Sequence, residues 1–202
     1  LSDVPGFLSM LKIACAFAAG SFWTSGDHAL TCFCGGDRTV RHNAVRNFVF
    51  EDATDASLRP EREKTGLLPS RPVCDGLPTG DSGRRPADVW FPKGDSRHGE
   101  AWDFAVPSGM RADLIRDSAE APESVFERYE AYKRAYKQTA ASCQSEGFRF
   151  VPMILEAHAG GWSQTARGVL DWIARQSAAC HGRAADTAAF KLAPCMSIPL
   201  RQ

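Results

Sequence analysis

The stretch Arg84 to Val106, RRPADVWFPKGDSRHGEAWDFAV, constrains the fold more than any other part of the chain. Ala87, Val89 and Phe91 alternate with Asp88 and Trp90; further on, Trp102, Phe104 and Val106 alternate with Ala101, Asp103 and Ala105. Alternation at period two, rich in aromatic and β-branched residues, marks strands, because successive side chains point to opposite faces of a sheet. The intervening PKGDSRHG holds Pro, Gly, Asp and Ser, all turn formers. A hairpin closed with Phe91 opposite Glu100 sets Asp88 directly opposite Asp103. Side chains opposed in this way are roughly 5 Å apart, and like charges there repel. A divalent cation shared by the two carboxylates would resolve the conflict. The plainer alternative is an aspartate solvated at a strand end.

A length of 202 residues fits one domain with a small appendage. The formal net charge is zero, so no global basic field draws in nucleic acid or an anionic membrane, and polyanion binding must come from local patches. Seven scattered cysteines do not form the framework of a small disulfide-stapled secreted domain, which favours a reducing, intracellular compartment. A first residue of Leu1 is what a fragment or processed product would show.

Four segments follow along the chain: an apolar stretch over 1–25, a loop-rich block over 26–43, an α/β domain over 44–180 and a loosely ordered tail over 181–202. Residues 4–23 are apolar, but Lys12, Pro5, Gly6 and Gly20 interrupt them. A membrane span is disfavoured on that ground, and a helix buried or covered by a protein partner is expected. In the next block His28 and Cys32 stand in H-x3-C spacing, with Cys34 and His42 behind. These are zinc-ligand types in half of a tetrahedral set, and Cys15 is the one upstream candidate to extend it, so weak zinc binding or none is expected. A glycine-rich turn with buried thiols is the competing reading.

Val45, Phe48 and Val49 predict a helix over 42–56 with Arg41 and Arg46 on its exposed side. A strand is expected over 58–67, a Pro/Gly-rich loop over 69–83, the hairpin strands over 85–91 and 100–106, and then a turn into a short helical stretch. Residues 122–145 predict one long helix, opened by Pro122 and Glu123 and closed by Gly147. Its expected apolar stripe is Val125, Phe126, Tyr129, Tyr132, Tyr136 and Ala140, and Lys133 and Lys137 share a face at i, i+4. FRFVPMILE over 148–156 suits a buried strand, and Trp162 to Ala179 an amphipathic helix. The resulting order, αβββαβα, predicts an α/β (α+β) fold: a mixed four-stranded sheet with helices on both faces.

That order, with acids on the second and third strands, resembles the core of the PD-(D/E)xK nuclease superfamily. More closely, the chain looks like the restriction-enzyme-like endonuclease region, preceded by a zinc knuckle, that follows the reverse transcriptase in some non-LTR retrotransposon polyproteins. The matching residues are Gly26-Asp27-His28-Ala29-Leu30-x-Cys32, Arg41-His42-Asn43, Gly66-Leu67-Leu68, Arg85-Pro86-Ala87-Asp88 and Trp102-Asp103-Phe104-Ala105-Val106, spread over roughly residues 26 to 175. The resemblance implies Asp88 and Asp103 as magnesium-binding acids, Glu61 or Glu63 as a third carboxylate, and hydrolysis of phosphodiester bonds in DNA or RNA. It also implies a nuclear place of action. The lysine that the superfamily carries two residues after its second acid is replaced by Ala105, and Lys133 or Lys137 could supply it from the following helix. The cysteine pair expected upstream of His28 is replaced by the apolar segment, as in a truncated or decayed copy.

Arg38, Arg41 and Arg46, beside His42, form the best local basic patch for phosphate contacts, although a solvated helix face would look the same. Two other readings stay open. One is a nuclease fold that binds nucleic acid without cleaving it. The other is an unrelated interaction domain that docks through its N-terminal apolar helix.

Overall fold

The computed structural model describes residues 37–70, 84–92, 98–157 and 161–182. Helix α1 (Asp37–Asp55) leads into strands β1 (Glu61–Arg62), β2 (Val89–Phe91) and β3 (Glu100–Ala105). Three helices follow, α2 (Ile115–Glu120), α3 (Ser124–Ala135) and α4 (Thr139–Ser145), with a single 3₁₀ turn at Tyr136–Gln138 between the last two. Strand β4 (Arg149–Ile154) and helix α5 (Gln164–His181) complete the order. The four strands form one sheet in the order β1-β2-β3-β4. β1–β2 and β2–β3 are antiparallel and β3–β4 parallel, so the sheet is mixed, as expected. Parallel strands need a crossover, and the three helices between β3 and β4 supply it.

The hairpin has the expected register: Phe91 pairs with Glu100 and Val89 with Trp102. Strand parity then sorts the side chains between two faces. Val89, Phe91, Trp102, Phe104, Val151 and Met153 enter the larger core, beneath Val45 and Val49 of α1 and Val169, Leu170, Trp172 and Ile173 of α5. Phe91 stacks on Trp102 at 5.7 Å between ring centres, and Trp172 meets both rings edge-on. The opposite parity carries Ala101 and Phe150 into a smaller core with Cys143 of α4 and Phe148. Trp90 reaches that core edge-on to Phe148, and its ring lies so close to Gly99 that a Cβ there would sit 2.3 Å away.

The elements depart from the expected bounds for local reasons. α1 begins at Asp37, so residues 37–43 belong to the helix that packs on the sheet and not to the loop-rich block. β1 has two residues because Arg59 and Glu63 on either side hold positive φ angles of 55° and 46°, outside the strand region. The long helix expected over 122–145 is broken. Lys137 and Gln138 both adopt left-handed backbone, with φ of 49° and 55°, and so end α3 and restart the chain as α4. α5 is capped as its sequence allows: the Ser163 hydroxyl accepts the Ala166 amide, and Gly182 closes it at φ 62°. Among the described residues no helix is long and apolar enough to cross a membrane. Residues 4–23, Cys15, the tail beyond 182 and the hairpin loop at 93–97 lie outside the described residues.

Two measurements test this architecture. Trp102→Ala removes a fully buried indole from the aromatic stack and should cost about 3–5 kcal/mol in urea unfolding; a loss under about 1 kcal/mol would contradict the packing. Left-handed backbone costs a non-glycine residue roughly 1–2 kcal/mol. Gln138→Gly should therefore be neutral or stabilising by up to about 1 kcal/mol, whereas in a continuous helix the same change would destabilise by about that amount.

Candidate active site

The site forms where β2 ends. Its ladder with β3 stops at Val89, and the Asp88 amide turns to the Trp102 carbonyl at 3.0 Å. The Phe104 amide of β3 faces the gap, and the Asp88 carboxylate fills it, Oδ2 accepting that N–H at 2.8 Å. A buried amide needs an acceptor, and here a side chain takes over from a strand carbonyl. The same Oδ2 lies 3.1 Å from His42 Nε2 on α1. Asp103, also carried by β3, is held by Lys133 of α3: Nζ is 2.8 Å from Oδ2 and donates in addition to the Phe104 carbonyl at 3.2 Å.

The two carboxylates therefore meet Lys133 and His42, the latter cationic when protonated. Burial, joined by the neighbouring Asp88 carboxylate, pushes the Asp103 carboxyl up to about 6 against the pull of Lys133. Burial works on Asp88 in the same sense, but the His42 hydrogen bond, the His42 charge and the Phe104 amide outweigh it and hold that group below its ordinary value. His42 is raised, chiefly by its hydrogen bond to Asp88. The expected conflict between the acids is real at Asp103, and the protein answers it with Lys133 and His42.

Other candidates are placed differently. The Glu63 amide bonds the Asp88 carbonyl, but its carboxylate turns away to Arg46 and Arg85, each at 2.7 Å. Glu61 pairs with Lys64 at 2.8 Å on the exposed edge strand. Neither glutamate joins the acid pair through these contacts, because the left-handed residues around β1 redirect the chain. Among the described residues, no group of three or more His, Cys, Asp or Glu side chains is arranged to hold a metal ion. Lys133 reaches Asp103, whereas Lys137 sits in the left-handed turn with its ammonium 5.5 Å from the Tyr136 ring centre. Both lysines line the same cleft, but of the two Lys133 is the one paired with Asp103. Arg46 is not on an exposed face: it is buried and tied to Glu63 and Asn47. The Arg38 side chain lies outside the described residues, as do His28, Cys32 and Cys34, and His42 serves Asp88.

Asp103 and Lys133 open into a cleft of about 860 Å³. Seven arginines and lysines line it against two aspartates, among them Arg41, Arg84, Arg111 and Arg128. Tyr129, Tyr132 and Tyr136 form part of its wall, and the last two are 56% and 49% exposed. Of the expected apolar stripe, the three tyrosines thus line the cleft, Ala140 packs against the smaller core, and of the α3 residues Val125 alone is buried. The charges that flank these tyrosines in sequence, Arg128, Lys133 and Lys137, were the available sign of a wet face. Deeper in the framework, the buried Glu100 bonds the Trp102 indole N–H at 2.8 Å and pairs with Arg149, a structural contact on the other side of the sheet.

No family model matches the chain, and no curated protein matches its sequence.

The site makes stability depend on pH. Asp103 binds its proton more tightly in the folded chain, so its ionisation destabilises the fold as pH rises from 3.8 to about 6. The raised His42 contributes fully below 6.5, and its contribution is lost as pH climbs through its folded value. Asp88 has the opposite sense: its contribution is lost as pH falls below 3.8. Asp103→Asn should therefore gain on the wild type, by on the order of 2 kcal/mol, between about pH 4 and pH 7. His42→Gln should flatten the remaining decline above pH 6.5. Urea midpoints across this range give both answers.

Proposed function

We propose that the chain is a nucleic-acid-binding domain of PD-(D/E)xK nuclease type, retroelement-derived, that hydrolyses phosphodiester bonds with magnesium at Asp88 and Asp103. The observation that carries the reading is the Asp103–Lys133 pair in the lining of a cationic cleft, with Asp88 beside Asp103 and bonded to the Phe104 amide. Lys133 takes up, from the following helix, the place left by Ala105 two residues after the second acid.

The donors fit a hard cation. Asp88, Asp103 and the Phe104 carbonyl offer oxygen alone, which suits magnesium, an ion that keeps several waters and needs few protein ligands. The Lys133 ammonium already lies between Asp103 Oδ2 and the Phe104 carbonyl, so that place accepts positive charge. When bound, magnesium would act as a Lewis acid on a phosphate oxygen and acidify a coordinated water.

The chain's own groups have separate tasks. Cleft arginines such as Arg41 and Arg84 hold backbone phosphates, and their charge makes that hold dependent on salt. Lys133 steadies negative charge as it gathers on the phosphoryl oxygens. His42 and the Phe104 amide fix the Asp88 carboxylate in place.

One observation favours a second reading, in which the cleft binds nucleic acid without cutting it. Among the described residues the acid pair gathers no third carboxylate, and each acid already has a partner, Lys133 for Asp103 and His42 for Asp88.

Nicking of supercoiled plasmid separates the two readings. With Mg²⁺ or Mn²⁺ the wild type should yield open circles, EDTA should stop the reaction, and Asp103→Asn or Lys133→Met should slow it by roughly 100-fold or more. Binding without nicking in either metal would leave the second reading, and nicking unchanged in both variants would remove this site from catalysis.

A further inference from the structure

Tyr129, Tyr132 and Tyr136 follow one another along α3 into the 3₁₀ turn, with ring centres 6.1 Å and then 5.6 Å apart. Their planes are inclined by 65° and 41°, so the rings do not cover one another's faces. Tyr129 is anchored, its hydroxyl accepting from Arg111 at 2.9 Å. Tyr132 and Tyr136 are about half exposed and, among the described residues, belong to neither hydrophobic core. Leaving two large aromatic rings in water forgoes their burial, yet both line the cationic cleft that contains Lys133 and Asp103.

We propose that this tyrosine run is a stacking platform for unpaired bases, so that the cleft takes single-stranded nucleic acid, or a single-stranded segment, in preference to continuous duplex. The proposal rests on the nucleic-acid reading of the same cleft and names its substrate class. In a duplex the base faces are covered by their neighbours, and a protein meets phosphates and groove edges. An unpaired strand exposes every base face, and aromatic side chains beside a basic groove receive those faces whatever the sequence. Here Tyr129 and Tyr132 lie on the helix that carries Lys133, and Tyr136 follows in the 3₁₀ turn. A strand stacked on Tyr132 and Tyr136 therefore has its phosphates within the same cleft as Asp103 and Lys133.

The test is fluorescence anisotropy in EDTA, with the full chain at one fixed salt concentration, using a fluorescein-labelled 20-mer of thymidylate and a labelled 20-base-pair duplex. The wild type should bind the single strand at least tenfold more tightly. Tyr132→Ala and Tyr136→Ala should each weaken single-strand binding by roughly tenfold and leave duplex binding unchanged. Tyr132→Phe and Tyr136→Phe, which keep the π face, should bind as the wild type does, and far-UV circular dichroism checks that each variant is folded. Duplex binding as tight as single-strand binding, or alanine variants that lose nothing, overturns the platform while the nucleic-acid reading stands. Failure of both probes to bind overturns the two together. Because EDTA removes the metal, the outcome is independent of whether the acid pair cleaves.

Discussion

The amide of Phe104 points toward a strand that has already ended, and the Asp88 carboxylate supplies the missing acceptor at 2.8 Å. The site follows from that substitution of a side chain for backbone. A strand interior does not tolerate an orphaned N–H, so the fold itself holds the carboxylate in the gap. Once there, the charge is largely removed from water, and a His42 hydrogen bond at 3.1 Å compensates it. Asp103 on the neighbouring strand then carries a second negative charge into the same region, and Lys133 reaches down to it. A half-buried cluster of two acids, a lysine and a histidine is tenable because each acid has its own partner.

The sheet divides its two faces sharply. One is dry, filled by Phe91, Trp102 and Trp172 in mutual ring contact and closed by α1 and α5. On the other, α3 buries only Val125, and the space left over is the cleft. The rigid side therefore fixes the backbone from which Asp103 projects, while the open side admits solvent and ligands. Glu63 supports the arrangement from outside. It clamps Arg46 of α1 and Arg85, ahead of β2, at 2.7 Å each, and its amide bonds the Asp88 carbonyl.

Much of this framework could be read from the residues in order. Alternation in AWDFA gave β3 and the apolar run FRFVPMILE gave β4, both within two residues, and the pairing of Phe91 with Glu100 followed from symmetric closure of the hairpin. The spacing of Val45 and Val49 gave α1, although its start at Asp37 was hidden among glycines and histidines that read as a loop. Periodicity misled at Tyr129, Tyr132 and Tyr136. Helical spacing of aromatic residues does not distinguish a face turned to a core from one turned to a charged cleft. The left-handed pair Lys137–Gln138 has no sequence signature either, since neither residue is one that favours that backbone.

By itself, the sequence determined the strand parity that puts Trp102 and Phe104 on one side of the sheet and Asp103 on the other, because side-chain direction in a strand is a local property of the backbone. It likewise set the order of elements and the availability of two aspartates and a lysine. Tertiary structure decided which of several acids and cations meet. His42 belongs to Asp88 across 46 residues, Lys133 to Asp103 across 30, and Glu63 to Arg46 and Arg85. Such pairings depend on where helices dock and where a strand stops. Those outcomes come from packing and backbone hydrogen bonding summed over the whole sheet, which no local pattern records.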